Sequence, residues 1–420
     1  PRQLKRPGQA ARISAADREA ARKRQQERER EQEAATRAEA AARGVHDVVK
    51  QHYNAVPERG QKWRKTDSKI KGLRSFNNWV KSTLIQKFSP GDESVGQGRS
   101  GEPILVLDIG CGKGGDLQKW GAAPKRVDLY VGVDPADVSI DQARERFQQM
   151  KRRPHRGRGP PAHDFHCEFH TKDCFGEWLG DIPIIKDVGI DPSVGPDGNG
   201  MAARWGGGGF DVVSMMFCMH YAFESESKAR GMLKNVAGAL KKGGRFLGVI
   251  PNSDVLSAKV EEHHKKHQKA ANAVAAPPLS DKPNEPTTSD NKDTKDSGPP
   301  PVEFGNSIFR VAFPGPTPPD GIFRPPFGWK YFYFLEEAVE TVPEYVVPWE
   351  AFRALAEEYN LELQYRKPFK EVWDEERDDR ELGPLSERMG VRERGGGELL
   401  VGREEMDAAG FYHAFCFYKV

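Results

Sequence analysis

Residues 106–117 read V-L-D-I-G-C-G-K-G-G-D-L. An apolar run enters a loop holding Gly110, Gly112, Gly114 and Gly115, and a helical pattern resumes near Asp116. Glycine lets the backbone take positive φ and come close to a ligand. In open α/β sheets, ligands bind beyond the carboxyl ends of such strands. A second apolar run, 128–134, ends in Asp134, 24 residues after Gly110. An acid at that point can accept from both ribose hydroxyls of an adenosine ligand. The spacing is G-x-G-x-G-G rather than the dinucleotide G-x-G-x-x-G, and no G-K-[ST] follows to make a phosphate loop. S-adenosylmethionine (SAM) suits this loop best, with NAD or an unliganded βα turn as the alternatives.

Working outward, residues 104–110, 128–134, 210–218 and 245–251 are short continuous apolar runs. Residues 137–150 and 226–244 carry helical patterns, the second closing on Lys-Lys-Gly-Gly. A third strand is due at 163–174. Continuous apolar strands separated by amphipathic helices predict parallel βαβ units with both sheet faces covered, an α/β doubly wound fold. Beyond 303, N-S-I-F-R-V-A-F, Y-F-Y-F-L and Y-H-A-F-C-F-Y-K-V suggest antiparallel additions to the sheet.

The rest of the chain is polar. Of 420 residues, 37% are hydrophobic and 30% charged, with 64 Lys plus Arg against 62 Asp plus Glu, so part of the chain contributes no core. Residues 1–43 lack an apolar stripe and read as a disordered or solvated helical tail, with a basic targeting signal as the lesser reading. The chain opens on Pro1, as after loss of an initiator Met or in a fragment, and residues 1–14 have no secretory core. One folded domain is placed at 44–420, with a disordered low-complexity insert at 258–302 and smaller inserts at 151–162, 183–208 and 375–405. No apolar run is long enough to span a membrane. Cys111, Cys167, Cys174, Cys218 and Cys416 are scattered, which argues for a reducing compartment. The His/Cys-rich stretch 163–174 is refused as a metal site, because a strand would put His166, Glu168 and His170 on one face and Cys167 and Phe169 on the other. The basic stretch 151–158 reads as a solvated loop ahead of an RNA groove.

Several stretches together resemble one family, the eukaryotic (fungal-like) mRNA cap guanine-N7 methyltransferases, which have the class I SAM-dependent methyltransferase fold. They are R-S-F-N-N-W-V-K-S-T-L-I (74–85), the glycine loop through Trp120, D-P-A-D-V-S-I (134–140), F-C-M-H-Y-A-F-E (217–224), P-N-S-D (251–254), F-G-N-S-I-F-R-V (304–311) and V-P-E-Y (342–345). The resemblance spans about 45–420 and implies a mostly parallel seven-stranded sheet of order 3-2-1-4-5-7-6 with strand 7 antiparallel. It implies that Lys81 and Gly110 contact the amino-acid part of SAM, Asp134 the ribose and Asp173 the adenine, with Met216 and Tyr221 lining the cofactor pocket. Met216 stands where the family commonly has glutamine. For the cap it implies Asn77, Asn78, His220, Tyr221, Glu344 and Tyr412 around the nucleoside, Pro251 and Tyr331 as wall residues, and Lys113, Lys119 and Arg146 near the phosphates. It also implies capped GpppN RNA as substrate, other capping enzymes and the transcribing polymerase as partners, and action in the nucleus.

The residue types suit that chemistry. Guanine N7 has a lone pair and no proton, so its methylation needs no general base, and no residue is assigned as acid or base. A carboxylate such as Glu344 can accept from the N1 and N2 protons and favour the cation that forms. Each residue also has a plain structural reading: His220 and Tyr221 at a core edge, Asn77 or Asn78 as helix caps, Glu344 as an exposed turn acid, Asp173 as a turn former, Tyr412 as core. Competing functions are another SAM-dependent RNA or small-molecule methyltransferase, and a non-catalytic cap-binding scaffold.

Overall fold

Two helices, α1 (Val45–Ala55) and α2 (Lys71–Phe88), precede the first strand in the computed structural model, which describes residues 45–56, 63, 66–89, 103–152, 165–196, 208–275 and 301–420. The chain divides between Val49 and Lys50; before that point the described residues are the opening turn of α1, and everything below concerns residues 50–420. The tail at 1–43 lies outside the described residues, as do 276–300, 153–164 and 197–207.

The alternation then runs β1 (Ile104–Ile109), α3 (Leu117–Trp120), β2 (Val127–Asp134), α4 (Asp137–Arg152), β3 (His166–Thr171), α5 (Pro183–Val188) and β4 (Phe210–Met216). A 3₁₀ turn (Met219–Glu224), α6 (Glu226–Ala239), β5 (Leu240–Pro251) and α7 (Ser253–Ala275) follow. Next come β6 (Glu303–Gly305), β7 (Phe309–Ala312), β8 (Lys330–Leu335), β9 (Val339–Tyr345) and α8 (Trp349–Glu358). The chain closes with β10 (Leu361–Pro368), α9 (Phe369–Glu376), α10 (Leu382–Arg388), α11 (Arg403–Ala409) and β11 (Tyr412–Lys419).

The main sheet has seven strands in the order β10-β11-β5-β4-β1-β2-β3. Neighbours from β5 to β3 are parallel, and β11 is antiparallel to both β5 and β10. That is the predicted doubly wound order, with the penultimate strand reversed. The predicted alternation on β3 holds too: His166 and His170 both reach Glu168, at 3.0 and 3.2 Å. Among the described residues no group of three or more His, Cys, Asp or Glu is placed to hold a metal, and no helix is long and apolar enough to cross a membrane.

Four expectations change. Strands β6–β9 do not extend the main sheet; they form a separate antiparallel sheet, and only β10 and β11 join the first. Phe411, leading into β11, stacks on Tyr333 of β8 at 5.5 Å and packs on Phe304 and Phe309, seating the second sheet at that end of the first. The helix expected over 226–244 stops at Ala239, because Leu240 turns extended and pairs with Phe210. Val212 then pairs with Arg245, so residues 241–244 bulge opposite Asp211 around Gly243 at φ 84°. The start of the 258–302 insert is helical, since Leu256 and Val260, one turn apart, are fully buried and anchor α7. Finally, 375–405 is packed structure. Leu382, Val391 and Val401 are buried among its charges, and Trp79 Nε1 donates to the Leu382 carbonyl at 3.0 Å. Each such side chain contributes roughly 1.5–3 kcal/mol when buried, which outweighs the polar composition.

Candidate functional site

The glycine loop leaves β1 at the carboxyl edge of the main sheet. Gly110, Gly112 and Gly114 all take positive φ, 70°, 50° and 65°. A Cβ at Gly110 would lie 2.5 Å from Cys218 Sγ, whereas one at Gly112 would meet nothing within 4 Å. The loop is therefore closed on its sheet side and open above Gly112. The adjacent β4 ends at Met216, and Phe217 follows with φ 64°, a strained backbone for a bulky residue at the same edge.

Asp134, at the end of β2, fixes the loop. Its Oδ2 accepts from the Gly112 N–H at 2.9 Å and its Oδ1 from the Ala136 N–H at 2.8 Å. Burial raises its pKa to about 6 in spite of those two donors. Asp116 sits where α3 begins and gathers two cations, Lys81 from α2 at 2.7 Å and Lys119 at 2.8 Å. Burial pushes the Asp116 pKa up, but Lys119 and Lys81 outweigh it and hold the group well below the usual carboxylate range. Burial lowers the Lys119 pKa to about 8 against the pull of Asp116. Asp108 accepts from Tyr130 and Ser214, and burial raises its pKa to about 7.

Across the edge stands a second group. His220 and Tyr221 lie on the 3₁₀ turn after β4, both buried. Glu344 comes from β9 of the second sheet. Its cross-strand partner on β8 is Tyr331, whose hydroxyl donates to Glu344 Oε2 at 2.8 Å. Glu344 Oε1 lies 3.4 Å from His220 Nε2, and neither ring nitrogen of His220 makes a hydrogen bond. At 5% exposure Glu344 is no exposed turn acid. Tyr412 pairs with Pro251 across β11 and β5, and its ring packs edge-on against Phe217 at 4.9 Å. Met216, at the end of β4, is buried beside this edge.

The remaining predicted residues fall as follows. Asn77 and Asn78 lie two turns inside α2 and cap nothing. Asn78 Nδ2 donates to the Arg74 carbonyl at 2.8 Å, and Asn77 Oδ1 is buried without a hydrogen bond. Asp173 accepts from the Phe175 N–H at 3.0 Å in a tight turn after β3. Lys113 Nζ donates to the Val56 carbonyl at 2.8 Å, and Arg146 Nη1 comes within 3.9 Å of the position of a Gly115 Cβ. Lys119 is pinned beneath the loop by Asp116 and also donates to the Gly115 carbonyl at 3.1 Å. The structure thus brings Lys81, Gly110, Asp134 and Lys119 together around the loop, and His220, Tyr221, Glu344, Tyr331, Tyr412 and Pro251 opposite. Sequence reasoning missed Tyr53 of α1, whose hydroxyl lies 3.1 Å from that of Tyr221. The aromatic in Q-H-Y-N, ahead of a polar stretch, carried no periodic signal. It also missed Asp116 as counter-ion to Lys81; an acid closing the glycine loop was the available cue.

These observations fit an adenosyl ligand. There is open space above a positive-φ glycine, a buried carboxylate at the end of the next strand, and orphaned buried ring nitrogens on His220 of the facing wall. A family model described as mRNA (guanine-N(7))-methyltransferase domain matches residues 36–290 and 279–420. A protein of Aspergillus clavatus named mRNA cap guanine-N(7) methyltransferase is 64% identical over 435 residues, covering 100% of this chain and 77% of that protein. A protein of the same name from Aspergillus fumigatus is 63% identical across 100% of this chain, which spans 64% of its length. A solved SAM-dependent methyltransferase from Clostridium acetobutylicum aligns at a TM-score of 0.37 with 9% identity, over 85% of this chain and 96% of that one, too remote to add to what the strand order establishes.

Proposed function

The chain belongs to the mRNA cap guanine-N7 methyltransferase family, and on that premise we propose that it transfers a methyl group from SAM to N7 of the 5′-terminal guanosine of GpppN-capped RNA, with the residue roles that follow. SAM supplies an electrophilic methyl on a sulfonium. The chain's own residues hold two nucleosides at one sheet edge. Asp134 accepts from the ribose hydroxyls with lone pairs left over from the Gly112 and Ala136 N–H groups. Lys81, set by Asp116, faces the amino-acid end of the donor, and Asp173 turns toward its adenine. The missing side chain at Gly112 leaves the space above the loop clear.

On the acceptor side, Glu344 accepts from the guanine N1 and N2 protons. Tyr331 holds the carboxylate from behind, so the base meets an acceptor already aimed. Methylation turns guanine cationic, and a buried carboxylate on its edge favours that change. His220 and Tyr412 bound the base plane, with Asn77 and Asn78 on the nucleoside. Arg146 and Lys113 supply cationic reach on the phosphate flank, while Lys119 acts from beneath through Asp116. No proton leaves N7, so no base is required. Positioning of this kind offsets roughly 7–11 kcal/mol of barrier in favourable cases. On this reading the protein works in the nucleus beside the other capping activities and the transcribing polymerase.

The observation that carries the assignment is the buried Glu344, bracketed by Tyr331 and His220 at the edge where the glycine loop opens. The test is product analysis. With labelled SAM and GpppG-capped RNA, the label is expected on the base of the terminal guanosine. Label on a ribose oxygen supports a 2′-O enzyme instead, and cap binding without SAM binding supports a scaffold.

A further inference from the structure

Tyr53 lies on α1, outside every stretch that carries the family resemblance. Its segment is tied down independently of its hydroxyl. Asn54 Nδ2 donates to Asp137 Oδ1 at 2.9 Å, Asn54 Oδ1 accepts from the Val138 N–H at 3.3 Å, and Lys113 Nζ donates to the Val56 carbonyl. A phenylalanine at residue 53 would satisfy that packing. The hydroxyl instead meets the Tyr221 hydroxyl at 3.1 Å. Neither phenol oxygen has a second hydrogen-bond partner among the described residues.

Proton counting makes this consequential. Two phenols bring two O–H donors, and their mutual bond uses one. The other is left over at a half-buried place, where an unsatisfied donor costs up to about 1–3 kcal/mol. Burial drives both phenol pKa values upward, so both protons stay on at neutral pH. The Tyr221 ring lies 4.3 Å from that of His220, which in turn stands 3.4 Å from Glu344.

We infer that Tyr53 is a further positioning residue of this site: its hydroxyl pair with Tyr221 presents one spare O–H donor to an acceptor atom of a bound nucleoside, the one held by Glu344. The inference rests on the proposed reaction and deepens it. It makes the pair a second polar reader of the acceptor nucleoside, a donor set opposite the Glu344 acceptor.

The test uses the full chain, Tyr53→Phe and Tyr221→Phe, with GpppG-capped RNA as acceptor. Tyr53→Phe is expected to raise the cap KM or lower kcat by about three- to tenfold, the range of one neutral hydrogen bond. The SAM Kd and melting temperature should stay near wild type. The double variant should lose more than either single, because each single variant keeps one phenol O–H and the double keeps none. A shift confined to the SAM Kd overturns the inference, since the donor then serves the adenosyl nucleoside and not the one held by Glu344. Unchanged cap and SAM constants overturn the inference, as does a loss in both that tracks a fall in melting temperature. Wild-type protein run alongside separates the failures: no cap methylation by wild type removes the reaction itself, whereas wild-type constants in Tyr53→Phe remove this inference alone.

Discussion

The two walls of the site are built on opposite plans. Around the glycine loop the polar groups answer one another: Asp134 with two backbone N–H groups, Asp116 with Lys81 and Lys119. On the facing wall, both ring nitrogens of His220 are buried without hydrogen bonds, Nε2 standing 3.4 Å from Glu344 Oε1. Leaving such groups unmade costs about 1–3 kcal/mol each. The carboxylates around the loop, on the donor wall, are thus already held, whereas the facing acceptor wall keeps an imidazole with no hydrogen bond of its own. The source of each wall matches. The first is local, strand to loop to next strand. The second draws on a separate sheet more than a hundred residues later.

The largest expected effect breaks the acceptor wall. Glu344→Ala removes the carboxylate that meets Tyr331 and His220. Charge-assisted hydrogen bonds contribute about 1.5–3 kcal/mol each, so kcat/KM for capped RNA should fall by about a hundredfold or more. The SAM Kd, measured by calorimetry, should move less than about twofold; a matched fall in SAM affinity would merge the two walls into one.

Asp134→Ala is the mirror experiment. The SAM Kd should rise by about tenfold or more, with cap binding near wild type. The wild-type group adds a pH test. With a pKa of about 6, its carboxylate is ionised above that pH and protonated below it. SAM affinity should therefore be flat above pH 6 and weaken as pH falls, toward about tenfold per unit. Isothermal titrations at several pH values would show it.

Gly112→Ala sharpens the contrast within the donor wall. The added Cβ meets nothing, but φ of 50° is left-handed backbone. A stability loss of about 1–2 kcal/mol is expected from that strain, with weaker SAM binding and no clash elsewhere. Gly110→Ala, which drives a Cβ into Cys218 Sγ, should cost more in the same denaturation series.

The smallest effect concerns stability away from both walls. His413 Nδ1 accepts from Arg366 Nε at 2.8 Å, and burial and then the charge of Arg366 hold its pKa well below the ordinary value. The folded protein keeps the ring neutral, while the unfolded chain takes a proton near pH 6.5. This contribution is fully present above pH 6.5 and declines as pH falls, approaching about 1.4 kcal/mol per unit. Urea melts at pH 7.5 and 5.5 should show it, and a His413→Gln variant should show a shallower slope.

The donor wall was legible because its signals are short-range. The run 104–110, its glycines and Asp134 sit within one βαβ unit, and local pattern places them. The acceptor wall was reached through family resemblance. Glu344 was chemically apt, but nothing local said that β9 would lie against the 3₁₀ turn, or that Tyr331 would be its cross-strand partner. The second sheet was misjudged for the same reason. Y-F-Y-F-L reads as a strand, and which sheet it joins depends on Phe411 packing far along the chain. The charged stretch 375–405 misled because three buried aliphatics among many charges vanish in an average. Tyr53 was invisible because its partner is 168 residues away.

The most direct measurement is a structure of the chain with S-adenosylhomocysteine and a GpppG cap analogue bound together. The account predicts the adenosyl ribose on Asp134, the guanine edge on Glu344, and N7 in line with the sulfur across a gap the width of one methyl group. A guanine seated away from Glu344, or a ribose hydroxyl facing the sulfur in place of N7, would contradict it.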